Sequence, residues 1–208
     1  MNQKSSLLGS IWRKWDLHFH TPTSYDYAYK GATNQEIVDG LIKAGVEVIA
    51  ITDHHRIDTK RIIELQKLGG TNLTVLPGIE FRSELGGCDS VHFIGIFPED
   101  IDVVDLWTKL AGKLNITETE VAKRGDETIY CPFVDTARVI HGLGGLLSVH
   151  AGDKTNSIEG LKNSDYIKQV IKKDLARLPQ LVHSVDDFQI LRATNPLIYY
   201  RLMFDKRM

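Results

Sequence analysis

At 208 residues and 23.4 kDa, with 42% hydrophobic and 25% charged residues, the chain has the composition of one folded domain with a sizeable core, which excludes disorder as its main state. Lysine and arginine number 25 against 27 aspartate and glutamate, a formal charge of −2, so no global basic field is available to hold nucleic acid through counterion release. Apolar runs such as Val48 to Ile51 fall far short of the roughly 20 residues of a membrane-spanning helix, the N-terminus MNQKSSLLGS lacks the apolar core of a signal peptide, and Cys88 and Cys131 stand outside any CxxC spacing, so the expected setting is reducing and cytoplasmic.

Strand-like and helix-like stretches alternate, the pattern of an α/β protein built on a mainly parallel sheet. Trp15 to Phe19 reads as the first strand. Thr33 and Glu36 form a capping-box pattern at the start of a helix over Asn34 to Ala44, with Ile37, Val38, Leu41 and Ile42 on one face and Gly45 closing it. Val46 to Thr52, β-branched and apolar, has the character of a strand buried on both faces. Asp58 to Leu68 is a second helix, with Ile62, Ile63 and Leu65 apolar and Gly69 and Gly70 at its end. Strands follow at Leu73 to Phe81 and Val91 to Phe97. The stretch Leu114 to Thr128 carries Glu118, Glu120, Lys123, Arg124, Asp126 and Glu127 with little apolar periodicity and reads as an excursion. Val134 to His141 is helical, and Gly142, Gly144 and Gly145 break it before a strand at Leu146 to His150. A last amphipathic helix is expected near Tyr166 to Leu178.

Four of these strands carry histidine at or beside an end: His18 and His20, His54, His92, and His150. Alternation along a strand sends His18 and His20 the same way, about 6–7 Å apart at Cβ, close enough to grip one ion, while Phe19 points to the opposite side. Neutral imidazole suits zinc, iron or manganese, and a nearby carboxylate supplies the negative charge that a site for divalent ions requires. Glu80 is the natural candidate, because Gly78 before it lets the backbone approach closely while the carboxylate bridges two ions. Ligands so far apart in sequence converge only where strands end together, as at the mouth of an α/β barrel. A single histidine is more simply structural: His55 faces elsewhere, towards solvent or behind the ligands, and His141 suits the C-terminal end of its helix dipole. Asp26, among Tyr25, Tyr27 and Tyr29, reads equally as a turn aspartate or a ligand.

Taken in order, Asp16-Leu17-His18-Phe19-His20-Thr21, Thr52-Asp53-His54, Gly78-Ile79-Glu80, His92 and Ser148-Val149-His150 resemble the successive motifs of the polymerase and histidinol phosphatase (PHP) superfamily over about residues 12 to 160. The resemblance implies one domain over residues 1–208, a distorted, TIM-like (β/α)7 barrel, and hydrolysis of phosphoesters at a cluster of two or three divalent ions, zinc, manganese or iron. It implies that His18, His20 and Glu80 hold one ion, Glu80, His92 and His150 a second, and Asp26 with His54 a third. Trp12 to Leu17 and Ser148 to Ser157 are similar to a narrower subgroup in which such a domain is fused to an ATPase and is associated with defence against phage.

The family's closing Asp-x-His motif does not occur after His150; Leu181 to Asp187 hold the right residue types in the wrong order. Barrels of this kind typically need about 250 residues, so the expectation is a barrel incomplete at its C-terminal end, with residues 179–208 unassigned and an open sheet edge that invites pairing with a second copy or with an ATPase chain. The implied chemistry is attack on phosphorus by hydroxide held between ions at Glu80, with Arg82 and Lys154 as candidate cations for the phosphoryl oxygens. Substrates are then a phosphorylated small molecule, a nucleotide or a nucleic-acid end. Two other readings compete. An amidohydrolase barrel also opens with His-x-His but normally uses a carboxylated lysine where Glu80 stands, and has no place for Thr52-Asp53-His54. A metal-binding, inactive interaction module partnered with an ATPase is favoured by the missing Asp-x-His.

Overall fold

The hydrogen-bonding pattern of a computed structural model joins five strands into one sheet in chain order: β1 (Trp15–Phe19), β2 (Val48–Ile51), β3 (Thr74–Ser83), β4 (Val91–Ile96) and β5 (Leu146–Val149). The structure describes residues 13–83, 91–125 and 128–150. Cys88, Lys154, the helix expected at 166–178 and the tail 179–208 lie outside the described residues. The pairs β1–β2 and β2–β3 are parallel, whereas β3–β4 and β4–β5 are antiparallel. The expected parallel arrangement therefore holds only for the first three strands. Residues 84–90 alone separate β3 from β4, fewer than the dozen or so that a parallel crossover needs, so the chain returns on itself.

That reversal decides where His92 sits. Strands β1, β2, β3 and β5 bring their C-terminal ends to one rim, and β4 brings its N-terminal end there, so its second residue joins the others. In a flat sheet β1 and β5 would lie about 19 Å apart, four strand spacings. The rings of His18 on β1 and His150 just beyond β5 are nevertheless 4.8 Å apart between centroids. The sheet is thus curled into a half-barrel around a concave space. Among the described residues no ladder joins β1 to β5, and the five-stranded curl is compatible with the incomplete TIM-like barrel expected, without specifying seven strands.

Helices α1 (Asn34–Lys43), α2 (Thr59–Gly69), α3 (Val103–Leu114), α4 (Glu118–Arg124) and α5 (Phe133–Gly142) follow the sequence chemistry closely. Thr33 caps α1 through its side chain on the Glu36 N–H (3.2 Å), and the Glu36 carboxylate takes the Thr33 N–H (2.8 Å), a complete capping box. Asp58 caps α2 on the Arg61 N–H. Helix α3 was not expected, although Asp102 caps it, Val103, Leu106 and Leu110 bury one face at helical spacing, and Asn115 ends it in a left-handed turn at φ 55°. Helix α4 lies inside the stretch read as an excursion and buries Val121. No helix among the described residues is long and apolar enough to cross a membrane.

The two faces of the sheet bury different things. The convex face meets the helices through Ile49, Ile51, Val75, Ile79, Phe81 and Phe93, all nearly inaccessible. The concave face is apolar at its floor, where Ala50, Ile94 and Ile96 pack with Leu17 and Leu76. Strict alternation would send Leu17 away from His18, yet Leu17 joins this floor and His18 the polar rim. The β1–β2 register shifts between Asp16 and Phe19, and the Asp16 carboxylate accepts the His18 N–H at 3.2 Å.

Candidate metal centre

Residues alternating along β3 place Leu76, Gly78, Glu80 and Arg82 on the concave side, climbing from floor to rim. Gly78 is obligatory: a Cβ there would lie 2.8 Å from the Ile51 carbonyl oxygen and 3.0 Å from that of Gly95. The absent side chain lets β2 and β4 close on β3. Backbone bonds then extend the sheet past its regular ends, with Glu80 N–H donating to Asp53 O (3.1 Å), His55 N–H to Glu80 O (2.9 Å) and His150 N–H to His92 O (3.1 Å). These hold residues 54, 80, 92 and 150 side by side.

Glu80, 1% exposed, is the centre of the cluster. Its Oε2 lies 2.7 Å from His18 Nε2 and 3.0 Å from His20 Nε2; its Oε1 lies 2.6 Å from His92 Nδ1 and 3.5 Å from His150 Nε2. His18 Nε2 and His20 Nε2 are themselves 3.1 Å apart. Three basic atoms facing one another at 2.7, 3.0 and 3.1 Å match the edge of a coordination polyhedron, about 3 Å for bonds of 2.0–2.1 Å. Protons can satisfy some of these contacts, but a divalent cation satisfies all three lone pairs at once. The donor set, imidazoles with a carboxylate, fits a divalent metal ion.

Asp26 and His54 stand beside this cluster. Asp26 Oδ2 is 3.4 Å from His54 Nε2 and Oδ1 is 3.9 Å from His20 Nδ1, while His54 Nε2 is 3.8 Å from Glu80 Oε2. Ligand atoms of His18, His20 and Glu80, of His20, Asp26 and His54, and of His54, Glu80 and His92 each fall within 4.8 Å of one another. Asp26 is 42% exposed and marks the mouth of the concave space. The loop carrying it is tied down at several points. The Asp53 carboxylate accepts both the Thr21 N–H and hydroxyl at 2.6 Å, Thr23 donates to Asp58 at 2.9 Å and accepts from Arg61 at 3.1 Å, and Lys30 donates to the Ser24 carbonyl.

Electrostatics follow from burial and proximity. Burial alone would push the Glu80 carboxyl up, but hydrogen bonds from His18, His20 and His92 outweigh it and hold the group far below the usual carboxylate range. Burial opposes a charge on His20, yet the bond to Glu80 and the nearby acids raise its pKa above that of a free imidazole. His54 is lowered, chiefly by burial. Asp53 is raised to about 6 by burial, against the two bonds from Thr21. Of the two places expected for His55, solvent or behind the ligands, the structure shows the second. His55 is 0% exposed, takes a left-handed φ of 54° and is pushed down to about 3 by burial, so it stays neutral among His54 and Phe81.

Arg82 pairs in register with His92, and its guanidinium lies 5.0 Å from the Tyr25 ring centroid. Tyr25 in turn packs on His54, 4.8 Å between centroids. Every proposed ligand among the described residues, His18, His20, Asp26, His54, Glu80, His92 and His150, is thus brought to one rim, with Arg82 beside them. Lys154 lies outside the described residues. His141 sits in the last turn of α5, away from this cluster. The sequence assigns no role to Ser24, to Tyr25 beside Asp26 or to Asp53 within its motif, because their parts are set by loop geometry.

No family model matches the chain, and no curated protein does. Among solved structures, a protein from Bifidobacterium adolescentis described as a "putative metal-dependent phosphoesterase" is similar to 92% of this chain over 82% of its own length, at 16% identity and a TM-score of 0.46.

Proposed function

We propose that the chain is a metal-dependent phosphoesterase, acting on a phosphomonoester or phosphodiester such as a nucleotide or a nucleic-acid end. The observation that carries the reading is the division of Glu80: each carboxylate oxygen faces its own pair of imidazoles, His18 with His20 on one side and His92 with His150 on the other. His18, His20 and Glu80 would hold one divalent ion, Glu80, His92 and His150 a second, and Asp26 with His54 a third. Such ions, when bound, supply positive charge for phosphoryl oxygens and a nucleophile stronger than water. The rest is the work of the chain. The apolar floor of Leu17, Ala50, Leu76, Ile94 and Ile96 closes the space from below, so a phosphoryl group enters from the Asp26 side. Arg82, whose guanidinium lies over the Tyr25 ring, would supply paired hydrogen bonds to phosphoryl oxygens, and Lys154 is a second candidate cation. The sequence resemblance extends the proposal to an ATPase partner and a part in defence against phage, the cysteine spacing and N-terminal composition to a cytoplasmic setting, and the open sheet edge to pairing with a second copy.

The test combines metal analysis with hydrolysis of p-nitrophenyl phosphate, bis-p-nitrophenyl phosphate and phosphate-terminated oligonucleotides. The wild-type chain should retain divalent metal and turn over at least one substrate, and His18→Ala should lose both by more than the roughly 10- to 100-fold typical of changes outside the ligand set. Equal activity in the two proteins would remove the assignment. Tightly held metal without turnover on any ester would select the inactive module that the missing Asp-x-His favours.

A further inference from the structure

His20 is claimed by two groups of ligands at once: its Nε2 faces Glu80 and His18, and its Nδ1 faces Asp26 at 3.9 Å. A neutral imidazole has one lone pair to give, so its orientation depends on what the other nitrogen meets. Nδ1 meets Ser24, whose Oγ lies 3.0 Å away. Ser24 is 0% exposed, in the turn that follows β1. The same Oγ accepts the His54 backbone N–H at 3.3 Å. With Nε2 turned to Glu80 and His18 as the ligating atom, the His20 proton sits on Nδ1, and the two lone pairs of Oγ can accept from His54 N–H and from His20 Nδ1–H.

We propose that Ser24 is a positioning residue that fixes His20 with its proton on Nδ1 and Nε2 free to ligate. This rests on the reading of His20 as a metal ligand. It assigns His20 to the Glu80 group and removes it from the Asp26–His54 group, so two neighbouring clusters are built around one buried hydroxyl. Outer bonds of this kind fix the tautomer and aim of a ligating ring, and losing one typically costs about 10- to 100-fold in metal affinity.

The experiment uses the full chain loaded with zinc. Long-range proton–nitrogen correlation on 15N-labelled wild type should show His20 protonated at Nδ1, with that proton slow to exchange. Ser24→Ala should leave the metal-free fold intact by circular dichroism, expose the Nδ1 proton to rapid exchange and weaken zinc binding by about 10- to 100-fold in a chelator competition. Ser24→Cys, nearly the same shape but a poor acceptor, should behave like Ser24→Ala. A wild-type His20 protonated at Nε2 would overturn the inference whatever the variants do, as would variants with unchanged zinc affinity and exchange. Failure of the wild-type chain to take up zinc, manganese or iron would overturn this inference and the proposed function together, whereas uptake with the wrong tautomer overturns this one alone.

Discussion

Replacing Glu80 by glutamine keeps the shape of the side chain and removes its charge, and the structure fixes how the consequence must vary with pH. Two oxygens in a site 1% exposed meet four ring nitrogens at 2.6–3.5 Å. In chelator-treated protein a contact becomes an ion pair only while its imidazole carries a second proton. The folded pKa of Glu80 lies below its ordinary 4.5, so its contribution is present above about pH 4.5 and lost as pH falls through the folded value. That of His20 lies above 6.5, so its contribution is full below about pH 6.5 and fades as pH rises through the folded value. Both operate together between about pH 4.5 and 6.5. Charge-assisted bonds contribute about 1.5–3 kcal/mol each against about 1 for neutral ones, and breaking a buried pair costs about 3–5 kcal/mol. Glu80→Gln should therefore lose about 3–5 kcal/mol of metal-free stability at pH 5.5 and less at pH 8.5, because the charge on His20 that opposes the carboxylate is lost as pH rises through its folded value. Guanidinium denaturation in excess chelator at the two pH values measures the difference. An equal loss at both would refute the pairing of Glu80 with protonated imidazoles.

Metal uptake should release protons, because ligating imidazoles must be neutral and Glu80 holds His20 protonated above the ordinary range; apparent affinity should climb through and above pH 6.5. Calorimetry at pH 7 in two buffers of different ionisation enthalpy reads the release, and identical heats would contradict it. Arg82→Gln should cut phosphoester turnover by roughly 10²–10³-fold with metal content unchanged, and Arg82→Lys should restore little, lacking the planar fork on Tyr25; metal loss in step with activity would make Arg82 structural. Gly78→Ala should cost about 1–3 kcal/mol by overpacking, read as a lower denaturation midpoint, since its Cβ would meet the Ile51 carbonyl oxygen at 2.8 Å.

What could be read in the sequence was what local chemistry dictates. Thr33 with Glu36 and the Asp58 cap announced α1 and α2, and the β-branched run of β2 announced a strand buried on both faces. The ligand types at strand ends pointed to one rim because such ends have few other reasons to carry buried-capable imidazoles. Strand direction was not legible from alternation, which is the same either way; the short span of residues 84–90 held the signal, since it is too brief for a parallel crossover. Helix α3 had its cap in Asp102 and its stripe in Val103, Leu106 and Leu110, a pattern passed over between a strand and a polar run. The fully buried His55 and the hub at Ser24 depend on a left-handed residue and a folded loop, which residue identity alone does not encode.

The meeting of His18 with His150 also orders events in time. A pocket whose walls come from both ends of a stretch running from residue 18 to residue 150 has no local precursor: a growing polypeptide on the ribosome carries its first imidazole pair long before the last strand emerges. An ion held by Glu80, His92 and His150 would then wait for β5 and for the closure of distant segments that high contact order slows, so it would lock this fold and not seed it.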